Sequence, residues 1–336
     1  MYDLLIVGGG PAALSAAFYA LGKRLKVVMV YEALGGQLGW RRRFANPNHD
    51  QDRVSIGRTR IADAFYHERL RLEDEDLPGN EVVRLLISRT TMQAGQVVHD
   101  RALQIVPEAD GFGIITRHHG TLQSATVIIA TGASPVPLDV PGAQRVVGPR
   151  LGYSITTYVH LVAGKRVAVI GSTLRALRGC AELAGCASQI TLIASGDDLA
   201  QSSVLDALQR QPNVEVLLGY TVKEILGSIG IDGVVVEGPG GRRDIRTDRV
   251  FVDLGLLPNS SLVRGLVETD SDGFIIVDDN NGTSVPGLFA GGDVTTSFCE
   301  QVLLAIGDGA RAAMHAYDYL LTRRLQHALV VKQEAG

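Results

Sequence analysis

Asp3-Leu4-Leu5-Ile6-Val7-Gly8-Gly9-Gly10-Pro11-Ala12-Ala13 is the stretch on which the fold turns: an apolar strand runs into a glycine turn and on into a helix of small residues, Leu14 to Leu21. A second strand, Lys26 to Tyr31, then ends at Glu32. Strand, glycine turn, helix, strand and acid in that order form a cradle for a dinucleotide pyrophosphate. Gly8 permits the tight turn, Gly10 lets the backbone approach the phosphates, and Ala13 allows close packing of helix on sheet. The N-terminus of that helix turns its N-H groups and positive dipole end toward negative charge. Glu32 stands where it can accept hydrogen bonds from an adenosine ribose.

Near the other end, Gly287-Leu288-Phe289-Ala290-Gly291-Gly292-Asp293-Val294 reads as a short buried strand ending in Gly-Asp, a pairing that suits a flavin. Asp293 at a strand end can receive a ribityl hydroxyl or reach the pyrophosphate region through water, while Gly291 and Gly292 permit close backbone approach. A helix is predicted from near Gln301 and Val302. Its first N-H groups point at the flavin pyrimidine edge, whose oxygen gains negative charge on reduction.

With these two signatures in hand the chain resembles the low-molecular-weight thioredoxin reductase-like flavoproteins, of the class II pyridine nucleotide-disulfide oxidoreductase fold, over nearly its whole length. The further anchors are Gly35-Gly36-Gln37, Ala130-Thr131-Gly132, Gly255-Leu256-Leu257-Pro258-Asn259, and Gln301-Val302 ahead of Ala305-Ile306-Gly307-Asp308-Gly309. The resemblance implies that Gly36, Gln37, Gln301 and Val302 lie beside the isoalloxazine and that Ala130, Thr131 and Gly132 end a strand next to a tightly held FAD. It also implies a homodimer with contact between FAD domains.

A second strand-turn-helix-strand unit is embedded in the first. Arg166 to Gly171, a helix from about Leu174 to Ala184 and a strand from Gln189 to Ile193 compose it, followed by apolar segments at Val214 to Leu218, Gly233 to Val236 and Arg249 to Leu254. The expected fold class is α/β, with two Rossmann-like three-layer ββα dinucleotide-binding domains, the second inserted in the first. Residues 1–137 and 255–336 make the discontinuous FAD-binding domain and 141–253 the inserted NAD(P)-binding-like domain, with chain crossovers at 133–141 and 254–258. A chain of 336 residues with 39 glycines and 46% hydrophobic content can bury two such cores. Its net charge of −4 offers no general basic surface for nucleic acid. No apolar run approaches the ~18 residues of a membrane span, and the N-terminal apolar stretch reads as a core strand, not a signal peptide. Three cysteines, Cys180, Cys186 and Cys299, make no disulfide framework, which fits a reducing cytoplasm.

The chain departs from its relatives in two respects. Counting back from Gly171, the two positions of the family's Cys-x-x-Cys fall on Ser154 and Thr157, whose hydroxyls form no disulfide. Cys180 and Cys186 point to different faces of a continuous helix, Cys299 reads as a small residue near the flavin edge, and the alternative redox-cysteine position after Gly10-Pro11 is Ala12. The inner turn reads Gly171-Ser172-Thr173-Leu174-Arg175-Ala176 where the family has Gly-x-Gly-x-x-Ala. A β-branched Thr173 intrudes where backbone must approach pyrophosphate. Asp197-Asp198 stands where NADPH-using relatives carry a cationic cluster, and Arg178 where many carry a carboxylate, so NAD(P)H use is doubtful. A second flavin is the other dinucleotide that this domain could take.

Trp40-Arg41-Arg42-Arg43-Phe44 is either a solvated basic loop or a place where an anionic ligand or an acidic redox carrier protein such as ferredoxin docks. Glu300 puts a carboxylate at the start of the last helix. His118-His119 read as surface residues of a turn, and no metal-ligand spacing is present. The expected function is an FAD-dependent oxidoreductase without dithiol chemistry or normal NADPH use, exchanging electrons directly with a carrier protein, a second flavin or a small ligand. Two alternatives stand beside it: an NAD(P)H-dependent ferredoxin/flavodoxin reductase-like enzyme, and a non-catalytic flavin-binding sensor or interaction protein. No catalytic acid or base is assigned.

Overall fold

Short apolar strands joined through turns to small-residue helices organise the chain in a computed structural model, which describes residues 1–36, 59–60, 96–143, 151–152, 162–196, 202–228, 230–296 and 301–334. The chain divides into two compact units. One holds the described residues up to Ser134 and those from Leu257 onward; the other is Pro135–Leu256.

The first unit opens with β1 (Tyr2–Val7), α1 (Pro11–Gly22) and β2 (Val27–Tyr31). The helix begins three residues before the periodicity predicts, because proline at its first position loses no hydrogen bond there. The chain continues through β3 (Thr59–Arg60), β4 (Gln96–His99), β5 (Ala102–Glu108), β6 (Gly111–Thr116), β7 (Thr121–Ile129) and β8 (Ala133–Pro135). Strand β1 lies between β2 and β7, parallel to both, with Leu4 opposite Val27 on one side and Thr126 on the other. Alternate side chains of β1 feed two cores. Leu4 and Ile6 pack with Leu14, Ala17 and Met29 on one face, and Leu5 and Val7 with Val28, Val98, Val127 and Ile275 on the other. A strand buried on both faces reads as a continuous apolar run, as residues 4–7 do.

The second unit contains β9 (Leu151–Gly152), β10 (Arg166–Ile170), α2 (Leu174–Ala184), β11 (Gln189–Ala194), α3 (Ser203–Gln209), β12 (Val214–Leu218), β13 (Thr221–Leu226), β14 (Gly233–Gly238), β15 (Gly241–Arg246) and β16 (Arg249–Val252). A parallel sheet in the order β12-β11-β10-β16-β9 forms its centre. Ala176, Leu177, Cys180 and Leu183 make an apolar stripe of α2 that packs on Val167, Val169 and Leu192. Val234 and Val236 of the antiparallel sheet β13-β14-β15 share the opposite core with Ala168, Ile170 and Val250. Helix, sheet and sheet are the three layers of the expected fold.

The chain then runs through β17 (Leu256–Pro258), which pairs with β8, a 3-10 turn (Ser261–Val263), and β18 (Leu288–Ala290), which is parallel to β7. Helix α4 (Val302–Glu334) closes the first unit, with Ala312, Ala313 and Ala316 packed into the core around α1. No helix among the described residues is long and apolar enough to cross a membrane.

Candidate functional site

The parallel strands β1, β2, β7 and β18 end on one edge of the first sheet, and the turns that leave them meet there. At Gly8 the backbone takes φ +131°, and a Cβ would lie 2.1 Å from the Ala130 carbonyl oxygen, so the residue is fixed as glycine by the protein itself. Gly10 is different. Its φ of −79° and ψ of −177° suit any residue, and a Cβ there would meet only the Gly36 Cα, at 3.7 Å. Among the described residues the space above Gly10 is open, which is what a phosphate approaching the backbone requires. Helix α1 starts at this point with no side-chain cap and no acidic residue in its first turn, so its N-terminal dipole faces the opening without an internal anion. This cradle fits a dinucleotide pyrophosphate.

The other sequence signatures converge on it. Thr131 Oγ1 donates to the Asn259 carbonyl oxygen (2.7 Å) and Asn259 Nδ2 donates to the Thr131 carbonyl (2.9 Å), which ties Ala130-Thr131-Gly132 to the Pro258-Asn259 motif. Gly292 N donates to Asp308 in α4 (3.2 Å), and a Cβ on Gly292 would lie 3.1 Å from the Ala12 Cβ. Asp293 follows, half-buried. The Gln301 carbonyl accepts from Ala305 N (2.9 Å) and so opens α4, while Val302 packs against the α1 core. A Cβ on Gly309 would lie 2.0 Å from the Ala12 carbonyl oxygen, so this glycine sets how closely α1 and α4 cross. Gly8, Gly10, Pro11, Ala12, Ala13, Gly36, Ala130, Thr131, Gly132, Gly292, Gln301 and Val302 thus belong to one neighbourhood.

Glu32 projects from the end of β2, exposed, and three consecutive residues from the end of β4 up to β5 support it. His99 Nε2 donates to the Glu32 carbonyl (2.9 Å) and its ring lies against Tyr31; Asp100 N donates to the Tyr31 carbonyl; Arg101 Nε is 3.8 Å from the Glu32 carboxylate. The Asp100 side chain is buried and accepts from Arg101 N, His118 N, His119 N and His119 Nδ1 at 2.7 to 3.0 Å. Burial alone would raise its carboxyl, but these donors outweigh it and hold it at about 2. His119 is therefore a half-buried partner of Asp100, where the sequence reads as a surface residue. Sequence reasoning missed this support because Asp100 looks like an ordinary turn residue.

In the second unit the same turn recurs with other contents. Gly171 takes φ +157°, and a Cβ on it would lie 2.0 Å from the Asp253 carbonyl oxygen, the counterpart of Gly8 against Ala130. Thr173 caps α2, its Oγ1 accepting from Ala176 N (3.0 Å) and donating to Asp253 Oδ1 (3.2 Å). Arg175 makes a two-pronged pair with the same carboxylate, Nε to Oδ2 at 2.5 Å and Nη2 to Oδ1 at 2.7 Å. The Asp253 side chain is 1% exposed. Neither Arg175 nor Asp253 stands out in the sequence alone, although superposing the two glycine turns would have found Arg175.

Cys180 is buried in α2, and burial pushes its thiol up to about 12; Cys186 Sγ donates to the Leu183 carbonyl. Gln37, residues 40–44, 153–158, Asp197, Asp198, Cys299 and Glu300 lie outside the described residues. Among the described residues no cluster of three His, Cys, Asp or Glu could hold a metal ion.

Comparison with known proteins agrees with this architecture. A family model described as pyridine nucleotide-disulphide oxidoreductase matches residues 2–316. An alkyl hydroperoxide reductase component of Staphylococcus aureus is 31% identical over 323 residues, 95% of this chain and 59% of that protein. Its counterpart in Pseudomonas putida is 33% identical over 333 residues, 95% of this chain and 58% of the relative. The chain thus spans somewhat over half the length of these curated relatives. A solved thioredoxin reductase of Streptococcus pyogenes superposes with a TM-score of 0.75 at 28% identity, covering 96% of this chain and 99% of its own. By family match, curated relatives and fold together, the chain belongs to the pyridine nucleotide-disulphide oxidoreductase family and is a flavin-dependent oxidoreductase of the thioredoxin reductase fold.

Proposed function

We propose that this chain is an FAD-dependent oxidoreductase whose flavin exchanges electrons directly with a carrier protein, a second flavin or a small ligand, without dithiol chemistry and without ordinary NADPH use. The observation that carries the reading is the contrast between two like turns, one open above Gly10 and the other filled by Thr173. FAD supplies a two-electron store that can be emptied in one- or two-electron steps. The residues do the rest. The backbone at Gly8 and Gly10 and the start of α1 hold the pyrophosphate; Glu32, kept in place by His99 and Arg101, accepts from the adenosine ribose; Asp293 accepts from the ribityl chain. Gly36 and Gln37, Ala130-Thr131-Gly132 and the first N-H groups of α4 after Gln301-Val302 line the ring.

Within these 336 residues no two cysteines stand as Cys-x-x-Cys, and the buried Cys180 is a poor thiolate source, which supports the absence of a thiol relay here. Arg41 to Arg43 form the natural docking point for an acidic carrier such as ferredoxin, in a cytoplasmic homodimer.

Anaerobic stopped-flow mixing tests the reading. The expected result is slow or absent bleaching of the flavin by NADPH and NADH, with reversible reduction by dithionite and reoxidation by a one-electron acceptor protein. Bleaching by either nucleotide at turnover rates would replace this reading with a nicotinamide-dependent reductase. A redox cycle that changes conformation but passes no electrons to any acceptor would replace it with a sensor.

A further inference from the structure

The two glycine turns of this chain are built on one pattern, and among the differences that appear when they are aligned on their first glycines, three concern residues that bond to one another or to the turn. Gly8 corresponds to Gly171, and the two Ala-type positions after the turn, Ala13 and Ala176, also correspond. The strand residue that crowds the first glycine is Ala130 in one unit and Asp253 in the other: Ala130 N donates to the Val7 carbonyl and Asp253 N to the Ile170 carbonyl, both at 2.8 Å. Between these fixed points, Gly10 is answered by Thr173, Ala12 by Arg175 and Ala130 by Asp253. Three small residues of the first cradle are matched by three polar ones, and two of these, Thr173 and Arg175, both bond to the third, Asp253.

We propose that Thr173, Arg175 and Asp253 form a single specificity device, a plug that fills the pyrophosphate seat of the second unit with the protein's own carboxylate and so rejects dinucleotides. The inference rests on the proposed absence of ordinary NADPH use and names the residues that cause it. Its chemistry is substitution of one anion for another. The start of α2 and a guanidinium would together make a strong phosphate site; Thr173 Oγ1 takes the first, accepting from Ala176 N, and the Asp253 carboxylate takes the second, two-pronged to Arg175 and accepting from Thr173. A phosphate arriving there would have to displace a buried carboxylate and leave it beside another negative charge. Thr173 adds bulk where backbone approach is needed.

The test transplants the open cradle into the closed one. In the FAD-loaded protein, Thr173→Gly, Arg175→Ala and Asp253→Ala together reproduce the first turn at these three positions. Isothermal titration with NADH, NADPH and ADP should show no saturable binding to wild type up to about 1 mM. The triple variant should bind at least one of them about 10-fold more tightly or better. A second variant, Asp253→Asn, keeps the shape but removes the Asp253 charge from Arg175 and Thr173, so inorganic pyrophosphate should raise its melting temperature and not that of wild type. If a triple variant with full flavin content and wild-type circular dichroism gains no affinity, the plug is refuted while the proposed function stands. Saturable NADPH binding by wild type overturns both. Should the triple variant fail to fold, Asp253→Asn decides: no response to pyrophosphate refutes the plug.

Discussion

Gly10→Ala separates what the protein needs from what its ligand needs. Nothing among the described residues objects to a methyl at residue 10, for the backbone there is ordinary extended geometry and the new Cβ would stand 3.7 Å from the Gly36 Cα, normal van der Waals contact. Alanine is a poorer helix cap than glycine, but it also restricts the unfolded chain, and these two effects oppose each other, each about 1 kcal/mol or less. The apoprotein should therefore melt close to wild type. FAD binding should not survive so well. A methyl facing the pyrophosphate pushes it off the N-H groups of the turn, and each charge-assisted hydrogen bond lost is worth about 1.5–3 kcal/mol, so FAD affinity should fall about 10- to 100-fold. Titrating deflavinated protein with FAD by fluorescence quenching, beside thermal melts of the apoprotein, measures both halves. Gly8→Ala is the control that must behave otherwise, since φ of +131° and a Cβ 2.1 Å from the Ala130 oxygen destabilise the fold with or without flavin. The reasoning fails if Gly10→Ala destabilises the apoprotein as much as Gly8→Ala does, or if it leaves FAD affinity within about threefold of wild type.

Gly309→Ala places a Cβ 2.0 Å from the Ala12 carbonyl and should cost about 1–3 kcal/mol through forced separation of α1 and α4, read as a lower melting temperature together with reduced flavin retention. Asp100→Asn should lower stability by about 2 kcal/mol at neutral pH, because a carboxyl held at about 2 against an ordinary 3.8 favours the folded state at every pH above 3.8. That contribution fades as pH falls from 3.8 through 2, so denaturant midpoints of variant and wild type should converge in acid; a constant gap would show that Asp100 acts by shape alone. Cys180, buried with its thiol at about 12, should resist iodoacetamide at about pH 8 in the native protein and label only on unfolding, as peptide mass mapping will report.

Local demands were the ones the sequence stated clearly. A turn that needs positive φ at Gly8 and again at Gly171 can hardly be written without glycine, and the apolar runs 4–7 and 167–170 announce strands buried on both faces. The limits of α2 and β12 agree with the expected ones for the same reason: periodicity and punctuation are local properties. What stayed hidden joins residues far apart in sequence. Arg175 and Asp253 are separated by 78 positions, each unremarkable alone, and only the parallel pairing of β10 with β16 brings them together. Gly309 reads as a helix-weakening residue until the Ala12 carbonyl is seen against it. His119 reads as a turn residue because the burial of Asp100 beneath it is set by β4 and β6, not by its neighbours in sequence.

A dinucleotide frame can persist without its ligand when its donors find a partner inside the protein. An anion seat at a helix start is a concentration of unsatisfied donors, and leaving it empty within a protein is unfavourable. In the first unit the opening is left to a bound molecule; in the second, Thr173 Oγ1 accepts from the helix start at Ala176 N, and a carboxylate 1% exposed accepts from Thr173 and from a guanidinium 34% exposed. Because one partner still touches water, breaking that pair lies at the low end for buried ions, about 3 kcal/mol. That is enough to weaken any displacing phosphate about 100-fold while leaving the strand order, the turn and the helix unchanged. On the proposed reading, the residues that close the second unit to a nucleotide are the same ones that satisfy its cradle without one.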